Sequence, residues 1–238
     1  MIQSMIRCFA LSLLVLTLFG CDASPKSESN YSSVSGSVSE PLHVRALTIL
    51  RQGTRSDQAL IRANSIEMME SETEPLRDAI RRGLVDRNEG VRFVSAMALG
   101  KRRLCGSSRL VRPLLDDPSA SVRAAAIYAL VVCGEEDVDQ TPLAGMVLSQ
   151  NRVTRANAAL VLSEIGNPTA TVLLREAMKR PLTGDDAEVI RTSELGIAEA
   201  LVRLGDHRQL EMIRAAFFAP ASQGELTALA SQMAGRLN

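Results

Sequence analysis

Asp117-Pro118-Ser119-Ala120-Ser121-Val122-Arg123-Ala124-Ala125-Ala126, continuing through Ala129-Leu130 to Cys133-Gly134, is the stretch that decides the architecture of this 238-residue chain. Val122, Ala125, Ala126, Ala129, Leu130 and Cys133 fall at i, i+3, i+4, i+7, i+8 and i+11, which is one face of one helix. Asp117 offers a capping carboxylate, Pro118 suits a first helical turn, and Gly134 can take the positive φ that ends a helix.

Working outward, the same pattern returns. Ser56–Arg62, Asp86–Arg92, Asp117–Arg123, Ser149–Arg155 and Asp185–Arg191 each set a small polar or acidic residue six positions ahead of an arginine. Ile61, Val91, Val122 and Ile190 directly precede that arginine in four of them. The interval between arginines is about 30–32 residues until the last unit, which is a few residues longer. A shorter helix precedes each arginine helix, at Pro75–Arg82, Ser108–Leu115, Asp139–Leu148 and Thr169–Lys179. A helix pair of this size cannot bury its apolar face alone, so the units must stack. The prediction is an all-α solenoid of about five to six stacked helix pairs over residues 41–238, closed by Pro41–Gln52 at one end and Gln223–Leu237 at the other.

Asp117 to Gly134, and Arg155-Ala156-Asn157-Ala158-Ala159-Leu160 through Ile165-Gly166, resemble HEAT repeats of the short variety shared with phycobilisome-lyase-like proteins. The resemblance runs from about Pro41 to Asn238 and is weakest in the first unit, where Met69 and Thr73 stand in place of Leu and Gly. It implies a hydrogen-bonded ladder between successive repeats, with Asp86, Asp117 and Asp185 facing Arg62, Arg92, Arg123, Arg155 and Arg191. Ser56 and Ser149 would weaken their rungs. In the last unit Ala200-Leu201, Leu204 and Gly205 fit only if Glu194 replaces Arg191 at the arginine position, with an insertion near Arg180–Asp186.

Composition agrees with helices: 46% of residues are hydrophobic but only 3% aromatic, and tryptophan is absent. Lys plus Arg equals Asp plus Glu at 27 each, interspersed, so no electrostatic footprint for nucleic acid stands out. The apolar run Phe9–Gly20, preceded by Arg7, is shorter than the ~20 residues that span a bilayer core. It reads as an export signal over residues 1–20. Leu18-Phe19-Gly20-Cys21 resembles a bacterial lipobox, with Phe19 bulkier than the pattern prefers, and implies acylation of Cys21. Two or more acyl chains hold a domain on a membrane where one does not. Residues 21–40, rich in serine, form a flexible tether spanning roughly 25 Å. Asp22 after the acylated cysteine resembles an inner-membrane retention signal.

Catalytic candidates are few. His43 and His207 are the only histidines and sit near opposite ends, no metal-ligand spacing, phosphate loop or nucleophile elbow appears, and neither cofactor nor enzymatic activity is expected. Cys105 and Cys133 lie at comparable places in adjacent units. Two separate buried thiols is the simpler reading, and a bridge is geometrically conceivable. Phe93 and Met97, then Ile127, Tyr128 and Val131, then Leu160 form an apolar stripe across three units. It is either inter-repeat core or a concave groove for a partner's segment. The expected role is a membrane-anchored, extracytoplasmic adaptor or scaffold for a protein partner. The rivals are a structural envelope lipoprotein that binds a cell-wall polymer and, by resemblance of the repeats only, a bilin lyase or isomerase.

Overall fold

The computed structural model describes residues 41–69, 74–183, 186–218 and 224–237. The expected export signal and tether, Cys21 and Asp185 lie outside the described residues. All regular structure among those described is helical: α1 (Leu42–Gly53), α2 (Ala59–Met68), α3 (Glu74–Gly83), α4 (Glu89–Lys101), α5 (Ala120–Val132), α6 (Pro142–Val147), α7 (Arg152–Ile165), α8 (Ala170–Lys179), α9 (Ala187–Arg203), α10 (Leu210–Phe217) and α11 (Gly224–Leu237), with short 3-10 segments between some of them. They pair in order, and the second members α2, α4, α5, α7 and α9 pack successively on one another to make the α-solenoid. No described helix is long and apolar enough to cross a membrane.

One pair is irregular. Ser108–Leu115 is not an α-helix but parts of two 3-10 segments, Cys105–Leu110 and Arg112–Asp116. Pro113 within it lacks an N–H and clashes with a preceding carbonyl, which breaks an α-helical run. The structure joins Cys105, the first residue of the first segment, to Cys133 as a disulfide, with Cα atoms 5.2 Å apart, overturning the reading of two separate thiols. Cys133 is the C-cap of α5, half-buried against the core, and meets the neighbouring unit there.

Helix ends fix the register. Gly134, Gly166 and Gly205 take φ of +79°, +78° and +93°, and Arg103 takes +49° at the corresponding place after α4. Glycine accepts this left-handed conformation without cost, and arginine does not. Counting back from Gly205 by the spacing of the other units puts Glu194, not Arg191, at the ladder position of α9. Asp117 also differs from expectation. The N-cap of α5 is Ser119 without a side-chain cap, while Asp117 Oδ1 accepts from Ser119 N–H at 2.9 Å and closes the turn before the helix.

The core follows from small residues between the stacked helices. Ala124, Ala125, Ala126 and Ala129 of α5 are all buried. Gly100 of α4 is required for a close approach, since a Cβ there would lie 2.5 Å from the Tyr128 ring. Leu195, Ile213, Leu226 and Met233 form a second cluster in which α10 and α11 close the end of the stack.

Candidate functional site

The ladder is real but short. Arg62 donates from Nε and NH2 to the two oxygens of Asp86 at 2.8 and 2.7 Å, and Arg92 does the same to Asp117 at 2.7 and 2.9 Å. Each arginine also donates to the carbonyl of its own turn, Arg62 to Ser56 O and Arg92 to Asp86 O, both at 2.8 Å. Burial is the largest influence on Asp86 and Asp117 and opposes their ionisation. Hydrogen bonds from the arginines and from backbone N–H groups outweigh it and hold both carboxyls below their ordinary range.

Beyond α5 the rungs change. Arg123 donates to Asp117 O and Pro118 O but meets no carboxylate of the described residues, because Ser149 stands where Asp86 and Asp117 stand in earlier units. Arg155 is 2% exposed and donates to Ser149 O at 2.8 Å and to Arg180 O at 2.7 Å, so carbonyls at the end of α8 replace the carboxylate. Burial pushes its pKa down. Arg191 is exposed on the flank of α9 and is not the ladder residue of that helix, which corrects its assignment.

The apolar stripe is mostly core. Phe93, Met97, Ile127 and Tyr128 are 2–3% exposed, and Val131 and Leu160 are half-buried. Tyr128 packs against α4 where Gly100 permits the close approach, and Met97 lines only a small hollow of about 30 Å³ with Val94 and Ala98. Burial, and next the Glu164 carboxylate, push the Tyr128 hydroxyl up to about 12.

The face that carries the stripe opens further along. A cavity of about 160 Å³ lies between α7, α9 and α11, walled by Val153, Leu160, Leu229 and Met233, with Glu67 and Lys101 reaching it from earlier units. It exists where a side chain is missing. Gly196 stands at the place that Val94, Ala125 and Asn157 take in α4, α5 and α7, and a Cβ at Gly196 would meet nothing within 4 Å. Polar groups converge there. Asn157 and Glu199 are 9% and 7% exposed, and Ser193 is 2% exposed with a hydroxyl that has no hydrogen-bond partner among the described residues. The neighbouring Thr192 instead donates to Glu188 O at 2.7 Å. On the rim, Glu164 of α7 ties α4 to α9, accepting from Lys101 at 3.4 Å and Arg203 at 3.0 Å.

Of the stripe residues named from sequence, Leu160 alone lines this cavity. Ser193, Gly196 and Glu199 were missed. The available signal was a run of polar residues and a glycine on a helix face that is apolar in the better repeats. His43 and His207 are exposed, on α1 and just after α9. Among the described residues no cluster of three His, Cys, Asp or Glu could hold a metal ion.

Comparison with known proteins bears on the middle of the stack. Residues 107–198 match the family described as HEAT repeats. No curated protein matches the chain.

Proposed function

Starting from a helical solenoid whose residues 107–198 are HEAT repeats, we propose that this protein is a non-enzymatic adaptor, acylated on Cys21 and held at the outer face of a bacterial inner membrane. Its concave face grips a segment of a partner protein. The observation that carries this reading is the cavity beside Gly196. At about 160 Å³ it is smaller than the ~300–1,000 Å³ of typical small-molecule sites, so it suits one aliphatic side chain presented by a longer chain. Asn157 and Ser193 offer hydrogen bonds to the flanking peptide group. A buried hydroxyl without a partner costs about 1–3 kcal/mol, and a ligand that satisfies it recovers that cost.

Two observations support a location outside the cytoplasm: the sequence of residues 9–21, and the Cys105–Cys133 disulfide, since disulfides persist in oxidising compartments. The likeness to the short phycobilisome-lyase-like variety of HEAT repeat bears on the fold alone, because repeats transfer no activity.

Gly196→Leu tests the reading in the full chain. Leucine fills the cavity and removes a mid-helix glycine that costs about 0.5–1 kcal/mol relative to a better helix former. The melting temperature is expected to hold or rise while a photo-crosslinker at Leu160 loses the partner band captured by the parent chain. Gly145→Leu, also in open space but on α6, keeps the band. An undiminished band in a folded Gly196→Leu protein, or crosslinking only to cell-wall polymer, overturns the proposal.

A further inference from the structure

The outward face of α1 exposes large aliphatic side chains among basic ones. Val44, Leu47 and Leu50 are half-buried, whereas Leu42 and Ile49 are 80% and 65% exposed. Leu42, Arg45, Ala46 and Ile49 fall at i, i+3, i+4 and i+7, so a second, outward stripe carries aliphatic side chains and a guanidinium together. From Pro41 to Ser56 there is no acidic residue, while His43, Arg45, Arg51 and Arg55 are all basic and exposed.

We infer that this face of α1 docks on a membrane surface carrying anionic phospholipid, laying the first turn of the solenoid against the bilayer to which the chain is tethered. The inference rests on the anchored reading of Cys21. Exposed aliphatic residues flanked by arginine are the chemistry of an interfacial helix: the side chains enter the boundary between headgroups and acyl chains, and the guanidinium pairs with phosphate. Position adds to the argument, because the segment that follows Cys21 ends where α1 begins. On that anchored reading the nineteen residues 22–40 span roughly 25 Å on average, so a weak contact of α1 with the lipid is made at high effective concentration. Other occupants fit less well. Asp22–Glu40 is mostly polar and offers little to cover aliphatic side chains. The two large residues expose at most a few hundred Å², against the ~1,000 Å² that a specific contact with a second copy requires.

The test holds the chain on vesicles without using its own lipid. A hexahistidine tag replaces residues 1–21, and the protein is captured on phosphatidylcholine vesicles doped with a nickel-chelating lipid, with or without phosphatidylglycerol. Cys105 and Cys133 are bonded to each other, so Ile49→Cys is the sole free thiol and takes an environment-sensitive fluorophore. Val172→Cys, at a site 67% exposed on α8, is the reference. The expected result is a blue shift at position 49 and at least about a twofold loss of quenching by aqueous iodide, only when phosphatidylglycerol is present, and reversed by Arg45→Glu. Arg45 is exposed, and an unchanged circular dichroism spectrum shows that this variant folds. Equal behaviour at positions 49 and 172, or shielding that ignores phosphatidylglycerol, overturns the proposal. A blue shift that rises with protein concentration without vesicles assigns the face to a second copy and overturns it too. Failure of the anchor itself is separate: it shows as unchanged membrane fractionation of Cys21→Ser.

Discussion

Ser149 occupies the turn position held by Asp86 and Asp117 in earlier units, and its backbone setting is already that of a rung. Its Oγ accepts from Asn151 N–H at 3.0 Å, as Asp86 and Asp117 accept from Asn88 and Ser119 N–H at 2.9 Å. Arg123, one unit back, keeps its bond to the Asp117 carbonyl and has no carboxylate to meet among the described residues. Ser149→Asp therefore supplies the missing acceptor without disturbing the turn. A hydrogen bond to a charged group contributes about 1.5–3 kcal/mol, and the Arg92–Asp117 pair, 15% and 5% exposed, shows how much shelter a rung receives. Arg123 is half-buried, so solvent screening lowers the expected gain to about 1–2 kcal/mol, or about 2–8 °C in melting temperature for a chain of this size. Urea titration and thermal melts of the soluble chain, with and without Arg123→Met, give the coupling between the two residues. A gain that survives in the Arg123→Met background, or no gain at all, refutes the ladder as the source of stability.

The pH dependence of that gain has a defined sign. Asp86 and Asp117 have folded pKa values below those of the unfolded chain, and an aspartate at 149 facing Arg123 would follow them. Their stabilisation is fully present above about pH 4 and is lost as pH falls through the folded values. The advantage of Ser149→Asp should accordingly vanish in acid.

Tyr128→Ala should destabilise the fold by about 3–5 kcal/mol while binding per folded molecule stays unchanged, because the ring is core packed over Gly100; near-parent melting with lost binding would reverse that assignment. Replacing Cys105 and Cys133 together by serine opens a loop with a sequence separation of 28, and should lower stability by about 3.5 kcal/mol in non-reducing urea titrations, whereas equal midpoints would remove the disulfide from the folded protein's stability.

The repeat was legible because its signals are local and mutually consistent: the apolar spacing around Arg123, Gly134 and Gly166 at helix ends, and arginines at a steady interval. Those features placed α1, α3, α8 and α11 within a residue or two. Ser108–Leu115 misled because helical spacing in so short a run says nothing of the missing N–H at Pro113. The stripe was placed on the concave side, but its exposure depends on how closely the helices approach, and that is set by Gly100 on a different helix. The cavity was harder still, since it is made by an absent side chain at Gly196 and by the return of α11, whose contact with α9 no periodicity encodes. The last unit was ambiguous in the sequence, where Arg191 satisfied the spacing counted forward and Glu194 the fit of Ala200-Leu201, Leu204 and Gly205; the positive φ of Gly205 decides for Glu194.

The ladder described above also has a mechanical meaning. Bidentate rungs join α2 to the turn before α4 and α4 to the turn before α5, so carboxylates brace the first half of the array like a beam. Beyond α5 the braces are of another kind: Arg155 bonds to carbonyls at the end of α8, Arg175 pairs with Asp206, and Glu164 joins Lys101 to Arg203, two residues that line the cavity beside Gly196. A load passed along the solenoid therefore moves from rigid two-point rungs to single hydrogen bonds and ion pairs on its way to the cavity.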